Sequence, residues 1–261
     1  MDTVNTSATI DLNVDFGESE RESPSPDELA ILGLASSINL SCGVHAGNIP
    51  LLRAILRAAA LLPVALGAHP SYDDRLNFGR RETGLPAPAI EPLITAQVLA
   101  LMTLAREAGV RIRYIKAHGA LYHRTAHDAE AASALCRVAL GIDSRPLPLL
   151  GPAEGSELER VAKRAGVPFY REGFLDRGYR ADGKIVPRGE EGALITDPTE
   201  TSARAVAIAR GEPIAAVDGT RVKIVADSIC IHGDSVAALA HVQAAREALR
   251  SAGVNVLPFA P

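Results

Sequence analysis

The stretch TIDLNVDFGES, Thr9 to Ser19, decides how the rest of the chain is read. Thr9 to Val14 has the composition of a buried strand, and it runs into a set of chemically capable side chains, Asp11, Asn13, Asp15 and Glu18. The same pairing of a short apolar run with polar groups at its end recurs downstream. Ser37 to Leu40 leads to Cys42, Gly43 and His45, and Val64 to Gly67 leads to His69. Ile112 to Ile115 leads to Lys116 and His118. Leu147 to Leu150, Val167 to Tyr170 and Val222 to Ile231 complete the series of predicted strands, the last two followed or flanked by Glu172, Asp176, Arg177, Asp227, His232 and Asp234.

Between these runs lie amphipathic segments. In Ile90 to Ala108 the residues Ile90, Leu93, Ile94, Val98 and Leu101 fall on one helical face. Ser25-Pro26-Asp27-Glu28 supplies a cap, a proline at the first helical position and a glutamate three residues after the cap, and Asp197-Pro198-Thr199-Glu200 has the same form. Strands alternating with helices predict a parallel sheet with helices outside it. Seven such strands closing on themselves make a distorted (β/α) barrel; an open doubly wound sheet is the competing topology. Arg171 to Glu191 has no helical period and contains the turn Ala181-Asp182-Gly183-Lys184, so it is expected to be a strand–turn excursion over the site. No second domain or repeat is visible, and residues 1–261 are read as one barrel domain.

Composition narrows the function. The 261 residues are 47% hydrophobic and 22% charged, which suits a soluble globular chain whose core needs neither disulfide nor metal for stability. A net charge of -4 and only 4% aromatic residues argue against nucleic acid as a partner. Cys42, Cys136 and Cys230 are widely spaced, so no zinc knuckle or secreted disulfide framework is predicted. With no apolar run of about 18 residues and no basic leader, a membrane partner is not expected and a cytoplasmic location is.

In parallel α/β folds the carboxyl ends of the strands converge on one face, where barrel active sites lie. Of seven histidines, four, His45, His69, His118 and His232, fall at such ends. Asp15, His45 and His69 offer nitrogen and oxygen donors from three successive strands, a set suited to a zinc-like divalent ion, although no compact metal motif accompanies them. Arg80, Arg81, Arg177 and Arg188 have the shape to grip a carboxylate or phosphate. Gly178 to Ile185 nearly matches a phosphate-binding loop, but Ile185 replaces the hydroxyl residue and the context is a turn. Nicotinamide and nucleophile-elbow motifs are absent.

The blocks IDLNVDFGES, SINLSCGVHAGN, LGAHPSYDDRLNFGRR, YIKAHGALYH, REGFLDRGYRADGKIVPRGEEGALI and ADSICIHGDSVAAL resemble those of the LamB/YcsF family, in the family's order, from about Ile10 to Leu249. The resemblance implies a glycoside hydrolase/deacetylase-like seven-stranded barrel. It also implies an ATP-dependent 5-oxoprolinase activity that hydrolyses 5-oxo-L-proline to L-glutamate with release of ADP and phosphate. ATP with Mg2+ and partner subunits B and C are implied in turn; self-association is left open. Among the matching positions, Asp15, His45, His69, Lys116 and His118 are the catalytic candidates, without individual roles assigned by the resemblance. Substrate or phosphate binding is expected of Asn13, Glu18, Arg80, Arg81, Asp176, Arg177, Arg188, Asp227, His232 and Asp234. A general base near neutral pKa is needed, with His45, His69 and Asp15 as candidates. Asn48 stands where the family usually has aspartate, Ala117 where it has proline and Leu175 where it has alanine; Asn48 removes a charge near His45, which weakens the metal reading. The alternative is a metal-dependent deacetylase acting on a small N-acyl or carbohydrate substrate through Asp15, His45 and His69.

Overall fold

In β1 (Thr9–Phe16) the polar residues Asp11, Asn13 and Asp15 alternate with the aliphatic residues Ile10, Leu12 and Val14, and everything after Thr9 is buried. Period-two alternation ordinarily turns the polar face to water. Here both faces are enclosed because the sheet is rolled up, with the polar face inside. The computed structural model describes residues 8–153, 155–233 and 237–260. After β1 come α1 (Pro26–Leu34), β2 (Ser37–Ser41), α2 (Ile49–Ala59), β3 (Ala65–His69), a short 3-10 turn at Arg75–Asn77, α3 (Ala87–Glu107) and β4 (Ile112–Ile115). Then follow α4 (Gly119–His127), α5 (Ala129–Gly141), β5 (Leu149–Pro152), α6 (Glu157–Ala165), β6 (Phe169–Phe174) and α7 (Pro198–Ala209). The chain finishes with β7 (Ile214–Ala215), β8 (Arg221–Val222), β9 (Ser228–Ile231), α8 (Ala238–Ser251) and β10 (Asn255–Val256).

The main-sheet order runs β1-β2-β3-β4-β5-β6-β9, all parallel, and β9 pairs with β1 as well as β6. That last pairing closes a seven-stranded barrel and excludes the open sheet. The predicted strand Val222 to Ile231 is two elements: β8 pairs antiparallel with β7, and only Ser228–Ile231 enters the barrel. Asp227 marks the break. Its carbonyl accepts Asp11 N (3.2 Å), its N–H donates to Arg171 O (2.8 Å) and its carboxylate accepts Arg171 N (2.8 Å), seating β9 between β1 and β6 at their N-terminal ends.

Helix starts follow local chemistry. Ser25 and Glu28 form the full reciprocal box on α1. Asp197 caps α7 through Thr199 N, but Glu200 turns along the helix to Arg204, so the second box is half made. Asn48 caps α2 by accepting Leu51 N while its amide donates to Arg21 O (2.9 Å), a bond an aspartate could not supply. Contrary to the expectation from apolar runs, α3 is long and apolar enough to cross a membrane by composition (mean hydropathy 1.4). In the structure its stripe Ile90, Ile94, Val98 and Leu101 is buried in the hydrophobic core, and the buried Gln97 brackets Ser71, accepting its N–H and donating to its carbonyl.

The barrel interior is polar and densely hydrogen-bonded. Asp11 accepts from Ser36 Oγ and Ser37 Oγ (both 2.6 Å) and from Ser228 Oγ. Asn13 donates to Ser228 Oγ and accepts from Asn39 (both 2.6 Å); Asn39 also donates to Asp15 Oδ1 (2.8 Å) and accepts from the Tyr114 hydroxyl (2.8 Å). The Tyr114 ring fits inside because the neighbouring strand offers Gly67, where a Cβ would stand 2.2 Å from the ring. Buried polar groups are tolerable only when so paired.

This interior sets two expectations for stability. Gly67→Ala should cost at least about 1–3 kcal/mol by overpacking, read from denaturant unfolding. Burial pushes the Asp11 carboxyl up to about 6 from 3.8, against the lowering effect of its three serines. A native pKa raised above the unfolded one favours folding fully below about pH 3.8, and the benefit is lost as pH rises through about 6. Wild-type stability should therefore fall by about 3 kcal/mol from this group between pH 4 and 6, and that slope should be missing in Asp11→Asn.

Candidate active site

At the carboxyl ends of the strands the interior network meets a buried cation. Lys116, directly after β4, is 2% exposed and its Nζ lies 2.7 Å from Asp15 Oδ1, 2.8 Å from Glu172 Oε1 and 3.3 Å from Cys230 Sγ. β1, β4, β6 and β9 are thus tied across the barrel by one ammonium. Burial alone would push Asp15 up, but the Lys116 charge, aided by His69, holds its carboxyl well below the usual carboxylate range. Burial likewise opposes the Lys116 charge, and Asp15 with its neighbours more than restores it. Asp15 Oδ1 is fully engaged, which leaves Oδ2 turned to His69 Nε2 at 3.5 Å.

Three imidazoles pack beside that oxygen. His45 and His118 stack with centroids 4.0 Å apart, and His69 meets both edge-on. Each ring is oriented from outside. His69 Nδ1 donates to Lys116 O (2.8 Å) and His118 Nε2 to Phe78 O (2.8 Å), while His45 Nε2 lies 3.0 Å from Glu18 Oε1. Phe78 takes the left-handed conformation (φ 55°), unusual for a bulky residue, and so presents its carbonyl to His118 and its ring to His45. Burial, then the neighbouring His69, push His45 down to about 3 and His118 well below the ordinary imidazole range, so both rings are neutral at pH 7.

A second pair stands across the mouth. His232, just after β9, puts Nδ1 3.0 Å from Asp176, whose carboxylate also accepts the His232 backbone N–H (3.0 Å). Phe174 stacks on the imidazole at 5.4 Å. Burial would raise the Asp176 carboxyl, but His232 holds it below its usual value. Gly233, the next residue, lies so close to Asp15 that a Cβ there would be 2.1 Å from the Asp15 carbonyl oxygen. A cavity of about 320 Å3 opens beside Asp15, lined by Gly17, Glu18, Phe78 and Gly233 and, from α1, by Glu28 and Ile31. That is the small end of the range for ligand pockets.

The structure therefore gathers Asp15, Glu18, His45, His69, Lys116 and His118 in one place, with Asp176 and His232 at the same mouth. Other expected residues go elsewhere. Asn13 is a rung deeper, wholly buried and hydrogen-bonded within the barrel. Lys116 is enclosed by its carboxylates, so it positions Asp15 and does not reach a ligand. Arg177 spends its guanidinium on Ala193 O and Val186 O, fastening the excursion. Asp227 sits at the opposite end of β9. Arg81 is exposed beside Asp74 and Arg188 is exposed on the excursion; Arg80 lies over the Phe78 ring, 4.6 Å from its centroid. Asp234 lies outside the described residues. The near-match to a phosphate loop is a hairpin bridged from Tyr179 to Ile185, with exposed Lys184 paired to Asp182. Glu172, Asn39 and Cys230 fall outside the expected set of site residues; only closure of the barrel brings them to Lys116 and Asp15. The metal set expected of Asp15, His45 and His69 is also corrected, since His118 replaces His45 next to Asp15 and His69.

Lys116→Met should cost about 3–5 kcal/mol at pH 7, because two buried carboxylates lose their shared cation. The depressed Asp15 carboxyl contributes stability above about pH 3.8 that is lost as pH falls toward its lower native value. The wild-type advantage over the variant should therefore shrink on acidification, as measured by denaturant unfolding at a series of pH values.

Comparison with known proteins agrees with this architecture. A sequence model of the LamB/YcsF family matches residues 10–261. A protein of Streptomyces avermitilis, named as the A subunit of 5-oxoprolinase, is 39% identical, covering 96% of this chain and 100% of its own length. The crystal structure of a lactam utilization protein from Thermus thermophilus is 36% identical with a TM-score of 0.87, over 96% of this chain and 100% of that one. A structure of the T48 deacetylase with substrate, only 15% identical, shares the fold alone at a TM-score of 0.50, over 97% of this chain and 88% of that one. With the closed barrel, the mouth cluster and a family match spanning nearly its whole length, this chain belongs to the LamB/YcsF family.

Proposed function

We propose that the chain is the A-type component of an ATP-dependent 5-oxoprolinase, opening 5-oxo-L-proline to L-glutamate together with partner subunits of the B and C type. The names of its relatives support this reading. Among the structural observations, the Asp176–His232 pair carries it. An imidazole held through Nδ1 by a buried carboxylate and stacked on Phe174 has the form of an oriented general base, one residue before Gly233 in the cavity wall.

The five-membered lactam is a stabilised amide, so its carbonyl oxygen is first made a leaving-group precursor. In this scheme the lactam oxygen attacks the γ-phosphorus of ATP, supplied as its magnesium complex, and ADP leaves. Water then adds to the ring carbon as His232 takes its proton, and the C–N bond breaks with the nitrogen accepting a proton. The resulting acyl phosphate is hydrolysed by a second water to glutamate and phosphate. Two waters and one ATP are consumed for each ring opened. The glycine-containing hairpin at Gly178 to Ile185 is not a nucleotide loop, so a partner subunit is the proposed source of much of the ATP site.

Turnover is to be measured with purified chain, candidate B and C subunits, ATP, Mg2+ and 5-oxoproline, following glutamate and phosphate. The expected result is stoichiometric product only in the full mixture, with His232→Ala lowering kcat by about 10²–10⁴. No glutamate from the complete mixture would sink the assignment, and an unimpaired His232→Ala enzyme would remove the dyad from the chemistry. The donor cluster of Asp15, His69 and His118 favours a second reading, metal-dependent deacetylation of a small N-acyl compound. Acetate release without ATP would select it.

A further inference from the structure

His69 and His118 turn one ring nitrogen each toward a shared point. His69 Nε2 and His118 Nδ1 are 3.0 Å apart. The other nitrogen of each ring is committed as a donor to a backbone carbonyl, Lys116 O and Phe78 O respectively, because a carbonyl can only accept. The facing nitrogens are therefore the ones turned toward the acids of the mouth. Two carboxylate oxygens complete the same small volume. Asp15 Oδ2 is 3.5 Å from His69 Nε2; Glu18 Oε1 is 3.4 Å from His118 Nδ1 and 3.9 Å from His69 Nε2.

We propose that these four atoms, Asp15 Oδ2, Glu18 Oε1, His69 Nε2 and His118 Nδ1, bind a zinc-class divalent metal ion at the barrel mouth. Donors about 2.0–2.1 Å from a tetrahedral ion stand about 3.3 Å from one another, and the four separations above, 3.0, 3.4, 3.5 and 3.9 Å, bracket that value. A mixed imidazole and carboxylate set suits zinc and its first-row neighbours better than magnesium or calcium. Three of the four donors are steadied from behind, and the fourth, Glu18 Oε1, is met directly by His45 Nε2 at 3.0 Å. Asn39 and Lys116 hold the other oxygen of Asp15, and two carbonyls fix the imidazole tautomers. Such outer partners are what set ligand orientation in metal centres. Glu18 lines the cavity, so a metal there would face any ligand that enters. The inference does not depend on the reaction proposed above, since metal uptake is measured with no substrate present.

The test titrates chelator-treated full-length chain with Co2+, whose visible absorption reports nitrogen and oxygen coordination, and then displaces it with Zn2+. One equivalent should bind with visible bands, and Zn2+ should abolish them and raise the melting temperature. His118→Gln should weaken binding at least about tenfold. Should that variant fail to fold, Glu18→Gln, whose side chain borders the cavity, is titrated in its place with the same expectation. Failure of the wild type to take up cobalt or zinc at micromolar concentration would overturn the proposal. So would uptake left unchanged in the folded variant, or nitrogen NMR of the metal-free and zinc-treated chain alike showing a proton held between His69 and His118.

Discussion

A single ammonium group organises this molecule. Lys116 sits where the polar interior of the barrel ends, and its contacts with Asp15 and Glu172 join strands that are far apart in the chain. A cation so deeply enclosed is tolerable only with its partners in place, and the carboxylates are tolerable only with the cation. The arrangement therefore constrains strand register as well as charge. A slip of one residue in β1 would swing Asp15 out to the helices and bring Val14 or Phe16 into the polar interior.

Below Lys116 the hydrogen bonds run without interruption through Asn39, Asn13 and Ser228 to Asp11. Above it they pass into the imidazole cluster, since the Lys116 carbonyl orients His69 and Phe78 orients His118. The interior thus acts as the outer support of the mouth. Groups at the mouth are held by groups enclosed beneath it, and the strained backbone at Phe78 is sustained by that packing. On the far side Asp176 and His232 are a separate unit, fixed by Phe174 and by the close approach of Gly233 to β1. The cavity is bordered by Asp15 and Glu18 of the first cluster and by Gly233, the residue after His232.

Much of this was legible in order along the chain. Alternating apolar runs and amphipathic helices identified the parallel α/β architecture, and Ile112 to Ile115 coincides with β4. Placing Asp15, His45, His69 and His118 after successive strands brought out the mouth, because parallel strands all release their carboxyl ends on one side. Errors arose where local pattern is silent about depth. Asn13 and Asp227 carry the same side-chain chemistry as true mouth residues, yet one lies inside the barrel and the other at its base. Arg177 looked like an anion grip, but its guanidinium is taken by two carbonyls of the excursion that no one-dimensional pattern brings near it.

By itself, the sequence determined the alternation of strands and helices, the helix caps at Ser25 and Asp197, and which strand ends bear acids and imidazoles, because those depend on periodicity and on contacts within a few residues. Only the tertiary structure decided that β9 closes the barrel onto β1, that Lys116 serves Asp15 and Glu172, and that His118, not His45, faces His69. Those outcomes depend on distances of a few ångströms between residues separated by dozens to hundreds of positions. They are set by barrel closure and by which hydrogen-bond partners remain once each buried polar group has been satisfied.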